Sequence, residues 1–185
     1  YAAAKAREIL GETPEKVDIL ASGNIIKNVK SVIVPNTNGM KGLKASVAIG
    51  IIGGNAAKEL EVIANVTEDE KQKTKEFLET TPMTITHINS QEQLDVTVKL
   101  YKDNHHASVR ISGFHTNIVY IQKDDTVLFE STTIGKPSAN LTDRSILSME
   151  GIYDFANKVE INDVKEILKR QLEYNKAISE EGLNN

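Results

Sequence analysis

Residues Gly113-Phe114-His115-Thr116-Asn117 place an imidazole inside a polar cluster that interrupts two apolar stretches. Imidazole titrates near neutral pH, so His115 can serve there as a base or a hydrogen-bond donor, with Thr116 and Asn117 as polar neighbours for a substrate. The same five residues also suit an ordinary turn whose polar side chains satisfy the backbone. A second cluster, Asn36-Thr37-Asn38-Gly39, comes just before an apolar helical segment. The free N–H groups of a helix start can hold a carboxylate or a phosphate, and Gly39 would let the backbone approach it closely; the plain alternative is an N-cap. The other histidines offer less. His105 and His106 are adjacent, so on a strand they face opposite sides and do not easily ligate one metal, and His87 has no evident partner. Gly39, Gly42, Lys44 and Ser46 superficially suggest a phosphate loop, but the spacing is wrong for Gly, four residues, then Gly-Lys-Ser/Thr. Neither a Ser-His-Asp order nor a pair of carboxylates stands out.

The elements that must position these residues are legible from periodicity. Ala2, Ala3, Ala4, Ala6, Ile9 and Leu10 form a helix closed by Gly11 and Pro14. Val17, Ile19 and Ala21 alternate as a short strand, and Val29 to Val34 reads as a second one. Met40 to Ile52 is apolar or small on every side, the pattern of a helix buried all round. Asn55 caps a short helix through Ala64, and Thr67 with Glu70 forms a capping box opening a charged helix to about Glu79. From Pro82 the period changes to two, through Leu94-Val96-Val98-Leu100, Ala107-Val109-Ile111, Val119-Ile121 and Val127-Phe129, with turns at Asp103-Asn104 and Asp124-Asp125. That describes an antiparallel meander with one wet face. Ser131 to Thr142 reads as polar connection. Ser148 caps a helix with Ile152, Phe155, Ala156 and Val159 facing inward, and a last helix starts near Asn162. The fold class is α+β: N-terminal helices packed with an antiparallel β-meander and two C-terminal helices, as one unit over residues 1–185, with a sub-boundary near 81 as the alternative.

Composition bounds the chemistry. The 185 residues carry 22 Lys plus Arg against 26 Asp plus Glu, a net charge of −4, which argues against nucleic acid as a partner because phosphate-tracking surfaces need a cationic excess. Zero cysteines exclude disulfides, thiolate nucleophiles and any cysteine-ligated cluster held by this chain alone. No apolar run approaches the roughly 18 to 20 residues of a bilayer span, so no membrane partner is expected and a cytoplasmic location is. Tyr1 sits inside a helical pattern, which suggests a truncated N-terminus and a piece of a longer protein.

At Pro35-Asn36-Thr37-Asn38-Gly39-Met40-Lys41-Gly42, then Ala45 to Gly50, Gly53-Gly54-Asn55, Gly113 to Val119 and Ser179-Glu180-Glu181-Gly182-Leu183, the sequence resembles the bacterial and archaeal L-cysteine desulfidase family. That family is related to the alpha chain of iron-sulfur L-serine dehydratases. The resemblance implies a lyase that performs β-elimination on L-cysteine or L-serine, giving pyruvate and ammonia, plus sulfide from cysteine. It implies a small amino-acid substrate, with His115 as the catalytic residue and Asn36, Thr37, Asn38, Gly39, Thr116 and Asn117 binding it. A [4Fe-4S] cluster is expected in the full-length protein and none in this chain, which lacks the family's cysteine-bearing segments and its C-terminal domain; the isolated chain is then inactive. A homo-oligomer is compatible with this reading. The reading of a different class is a non-catalytic small-ligand-binding, regulatory or structural module.

Overall fold

The computed structural model describes residues 1–131 and 147–184. They fall into two units, the first reaching through the sheet and the second formed by the C-terminal helices. The alanine-rich start gives helix α1 (Ala2–Leu10), which ends where Gly11 turns left-handed at φ 95° and returns its N–H to the Arg7 carbonyl at 2.9 Å. Strand β1 (Lys16–Ser22) follows and runs directly into the short helix α2 (Gly23–Val29). Helix α3 (Gly42–Gly53), a 3-10 turn at Ala56–Glu61 and helix α4 (Glu68–Thr80) lead to β2 (Met83–Ile88). The meander is β3 (Asp95–Lys102), β4 (His105–Ser112), β5 (Ile118–Lys123) and β6 (Thr126–Glu130).

The class is α+β. The six strands lie in one sheet in the order β2-β1-β3-β4-β5-β6. The sheet is mixed rather than wholly antiparallel: β1 and β2 pair in parallel, Val17 opposite Met83, because three helices cross over between them. One face is dry. Ile19, Val98, Val109 and Ile121 stand in a row across four strands, beside Val17, Leu100 and Ala107. Helix α1 lies against β3 and β4 on this face, and α3 packs on α1 and α4. The approach of α1 to α3 needs small residues: a Cβ built on Gly50 would stand 3.2 Å from the Ala3 Cβ. The capping box of α4 is present, with Thr67 Oγ1 accepting from the Glu70 N–H and Glu70 accepting from the Thr67 N–H.

Several local expectations change. Val29 to Val34 is not a strand. Val29 ends α2, and Asn36 and Asn38, both left-handed at φ 56°, fold the chain back so that only Ile33 bridges Lys41. The segment after Asn55 is a 3-10 turn, with the Asn55 side chain accepting from the Ala57 N–H. The buried helix begins at Gly42, two residues later than its apolar pattern suggests, and it is buried through Ala45, Val47, Ala48, Ile49 and Ile51.

In the second unit, Ser148 caps α5 (Met149–Lys158) by accepting from the Gly151 N–H, and α6 spans Ile161–Asn184. Neither helix contains a buried residue, so Ile152 and Phe155 do not face inward: an amphipathic pattern specifies which side is apolar, and covering that side needs a neighbour. Residues 132–142 of the polar connection lie outside the described residues. No helix among the described residues is long and apolar enough to cross a membrane.

Leu100 is fully buried between β1 and β4. Leu100→Ala should cost about 2–5 kcal/mol, read as a lowered urea midpoint at unchanged slope.

Candidate functional site

The Asn36 to Gly39 turn is committed to protein partners. Asn36 Nδ2 donates to the carbonyls of Ile63 and Ala64 at 3.0 and 3.3 Å, and the buried Thr37 hydroxyl donates to the Val34 carbonyl at 2.6 Å. Asn38 Nδ2 donates to Glu68 at 2.7 Å, and Glu68 also accepts from the buried Lys71. Those two bonds, Lys71 first, hold the Glu68 carboxyl below its ordinary pKa. None of the four residues caps α3, whose N-cap is Lys41 and whose Gly42 N–H donates to the Val32 carbonyl at 3.0 Å. Gly39 is required for its φ of 88°, since a Cβ there would meet open space. The turn therefore clamps the entrance of α3 to the start of α4.

His115 sits elsewhere. Its turn joins β4 to β5 and is closed by Asn117, whose Nδ2 donates to the Ser112 carbonyl at 2.8 Å and whose N–H donates to the Phe114 carbonyl at 3.1 Å. The Thr116 carbonyl accepts from the Ile118 N–H. Gly113, left-handed at φ 79°, donates its N–H to the Leu94 carbonyl, which sets this turn against the loop after β2. His115 is thus carried at the sheet end where the parallel strands β1 and β2 finish, the end at which open α/β sheets place their crevices.

Three depressions run around that end. An apolar cleft of about 300 Å3 is walled by Ile25, Val29, Leu43, Val47 and Leu94, with His115, Ser46, Glu59 and Tyr1 as its polar groups. A saddle of about 550 Å3 shares Ile25, Val29, Leu94 and His115 with it. A third cleft, about 640 Å3, shares Gln91 and Glu92 with the saddle and reaches Arg110 on the sheet face opposite α1. None of Asn36, Thr37, Asn38 and Gly39 lines the apolar cleft, so the two polar motifs are not brought together in it.

Residues without an evident signature dominate the rim. Asp95, wholly buried at the start of β3, accepts from Arg110 Nε at 2.9 Å and Nη2 at 2.7 Å, and from the Ser90 hydroxyl at 2.6 Å. Burial pushes the Asp95 carboxyl up, but the hydrogen bonds from Arg110 and Ser90 and the Arg110 charge outweigh it and hold the pKa below the usual value. The only signal in the sequence was phase: Asp95 and Arg110 occupy the polar positions of two strands whose alternate residues are apolar. Glu59 was unmarked as well. It has φ 48° and ψ −105°, a conformation that costs a non-glycine residue of order 1–3 kcal/mol and tends to occur at functional sites. His105 and His106 meet at Asp124, which accepts from the His106 N–H at 2.8 Å and lies 3.0 Å from His105 Nδ1.

No family model matches the chain, and no solved structure matches it. It is similar to curated bacterial proteins that bear the name UPF0597: 45% identity to one from Desulfitobacterium hafniense, over 99% of this chain, and 44% to one from Lachnoclostridium phytofermentans, over the whole chain. A relative from Treponema denticola is 44% identical over 99% of this chain. The chain spans 43–44% of the length of these three relatives. None of their names describes an L-cysteine desulfidase or a serine dehydratase. The expected membership of the desulfidase family, the β-eliminating lyase function and the module reading are therefore corrected: the relatives carry a family name without an activity. The chain has no cysteine, and among the described residues no group of three or more His, Asp or Glu is placed to hold a metal.

Two predictions test the arrangement. Asn38→Ala removes a hydrogen bond and puts a Cβ-branching-free but non-Asn residue at φ 56°, so it should cost about 1–2 kcal/mol in a denaturation curve, with Asn38→Gly costing less. Because the Asp95 pKa is depressed in the fold, its contribution is complete above the unfolded value of about 3.9 and is lost as pH falls through the folded value. Asp95→Asn should flatten the acid limb of stability against pH below about pH 4, measured by urea titrations at stepped pH.

Proposed function

We propose that the apolar cleft is a proton-transfer site that takes a small apolar group of its substrate, with His115 as proton donor or acceptor and Glu59 as the second ionisable group. The observation that carries this reading is chemical contrast: apolar walls from α2, α3 and the sheet enclose a volume of ligand size, and His115 and Glu59 are the titratable side chains on its lining apart from Tyr1. Glu59, exposed and with φ 48° and ψ −105°, lines the same cleft. Apolar walls strengthen any charge interaction between a bound substrate and the His115 imidazole. Ser46, whose hydroxyl donates to the Gly42 carbonyl at 3.0 Å, keeps its oxygen as an acceptor on the same wall.

N-acetyl-leucinamide serves as probe. Its titration into the 185-residue chain should move the methyl resonances of Ile25, Val29 and Val47 together with the His115 imidazole, and binding should change the midpoint of the His115 titration. His115→Ala, an exposed position, should leave stability unchanged and weaken the probe several-fold. Shifts confined to other surfaces, or a His115 titration indifferent to the bound probe, would overturn the reading.

A further inference from the structure

The three depressions follow one another in a definite chemical order. The cleft at Val47 and Leu43 is apolar. The saddle beside it presents four carboxamides: Asn24 and Asn28 from α2, with Asn28 Nδ2 donating to Asn24 Oδ1 at 3.2 Å, and Gln91 and Gln93 from the loop after β2. The far cleft ends on Arg110. They adjoin one another: Ile25, Val29, Leu94 and His115 border the first two, and Gln91 and Glu92 border the last two. Side-chain carboxamides each offer donors and an acceptor, the complement of a peptide unit, and do not select for net charge. At the far end Asp95 occupies Nε and Nη2 of Arg110, which fixes the guanidinium plane and leaves Nη1 for another acceptor. The loop that floors the saddle is itself pinned: the Ser22 hydroxyl donates to the Gln93 carbonyl at 2.7 Å, and Ser90 is held by Asp95.

Resting on the small-molecule reading of the His115 cleft, we infer that its ligand is a short peptide: an apolar side chain in the cleft, peptide units on the carboxamide saddle, and the terminal carboxylate at Arg110. Apolar, amide and guanidinium surfaces in sequence match side chain, backbone and carboxylate in sequence. A compact amino acid would use one end of this track and leave the other empty. Glu92 is the opposing group, since it lines both the saddle and the Arg110 cleft and repels a carboxylate there.

The test compares acetyl-Leu-Gly-Gly with a free carboxylate, the same peptide as its terminal amide, and N-acetyl-leucinamide, by calorimetry on the 185-residue chain. The carboxylate peptide should bind about ten-fold more tightly than its amide. Glu92→Gln should tighten the carboxylate peptide several-fold and leave the amide unchanged. Arg110→Gln risks orphaning Asp95, so the Asp95→Asn/Arg110→Gln pair is made as well; it should remove the ten-fold ratio between the two peptides' affinities. Equal affinity of the two tripeptides on the unaltered chain overturns the peptide inference. If N-acetyl-leucinamide binds at the cleft in that case, the proton-transfer site stands without it; if none of the three binds, both fail.

Discussion

A carboxylate withdrawn from water must be paired, and much of this structure is arranged around that requirement at Asp95. Two N–H groups of Arg110 and the Ser90 hydroxyl satisfy it. The pairing reaches from β3 to β4 on the polar face, where Thr97 stands opposite Arg110, so it supports the register that brings Val98 to Val109 on the other face. A slip by one residue would place Asp95 in the apolar layer and orphan both charges. Through Ser90 the same carboxylate holds the loop after β2, and that loop forms the wall common to the rim depressions. Stability at the sheet centre and the shape of the rim are thus set by one buried charge.

The helical layer answers a different demand. The four strands β1, β3, β4 and β5 present one dry face, and α1 covers its middle with small side chains, so that α3 can pack closely behind. Helix α3 is buried through Ala45, Val47, Ala48, Ile49 and Ile51, whereas α4 shows only Lys71, Thr74 and Phe77 to the interior. The Asn36 to Gly39 turn joins these helices through hydrogen bonds to residues near the start of α4. Two asparagines in left-handed conformation make the reversal that a strand reading of Val29 to Val34 missed.

Similarity to UPF0597 proteins extends along the whole chain, which spans less than half the length of those relatives. The names of those relatives assign no reaction, and the rim of the sheet offers an imidazole, a strained glutamate, carboxamides and a fixed guanidinium on adjoining depressions. Fold alone would not select among chemistries, because the class hosts many.

Local pattern by itself determined the elements with strong signals: α1 with its glycine stop, the buried α3, the capping box of α4, the period-two strands from Pro82 onward and the Ser148 cap. These depend on interactions within a few residues, or on which side chains avoid water, and both are written in order along the chain. The tertiary structure decided that β1 joins the meander and runs parallel to β2, since partner choice depends on a crossover of about sixty residues whose path no local period encodes. It also decided the site. His115 was legible as an unusual residue, but its cleft is made by α2, α3 and the β2–β3 loop; Asp95, Ser90 and Arg110 looked like ordinary polar positions until the register of β3 and β4 set them side by side. Charge pairing in a fold is a matter of distance in space, and spacing in sequence carries that only when the partners share an element.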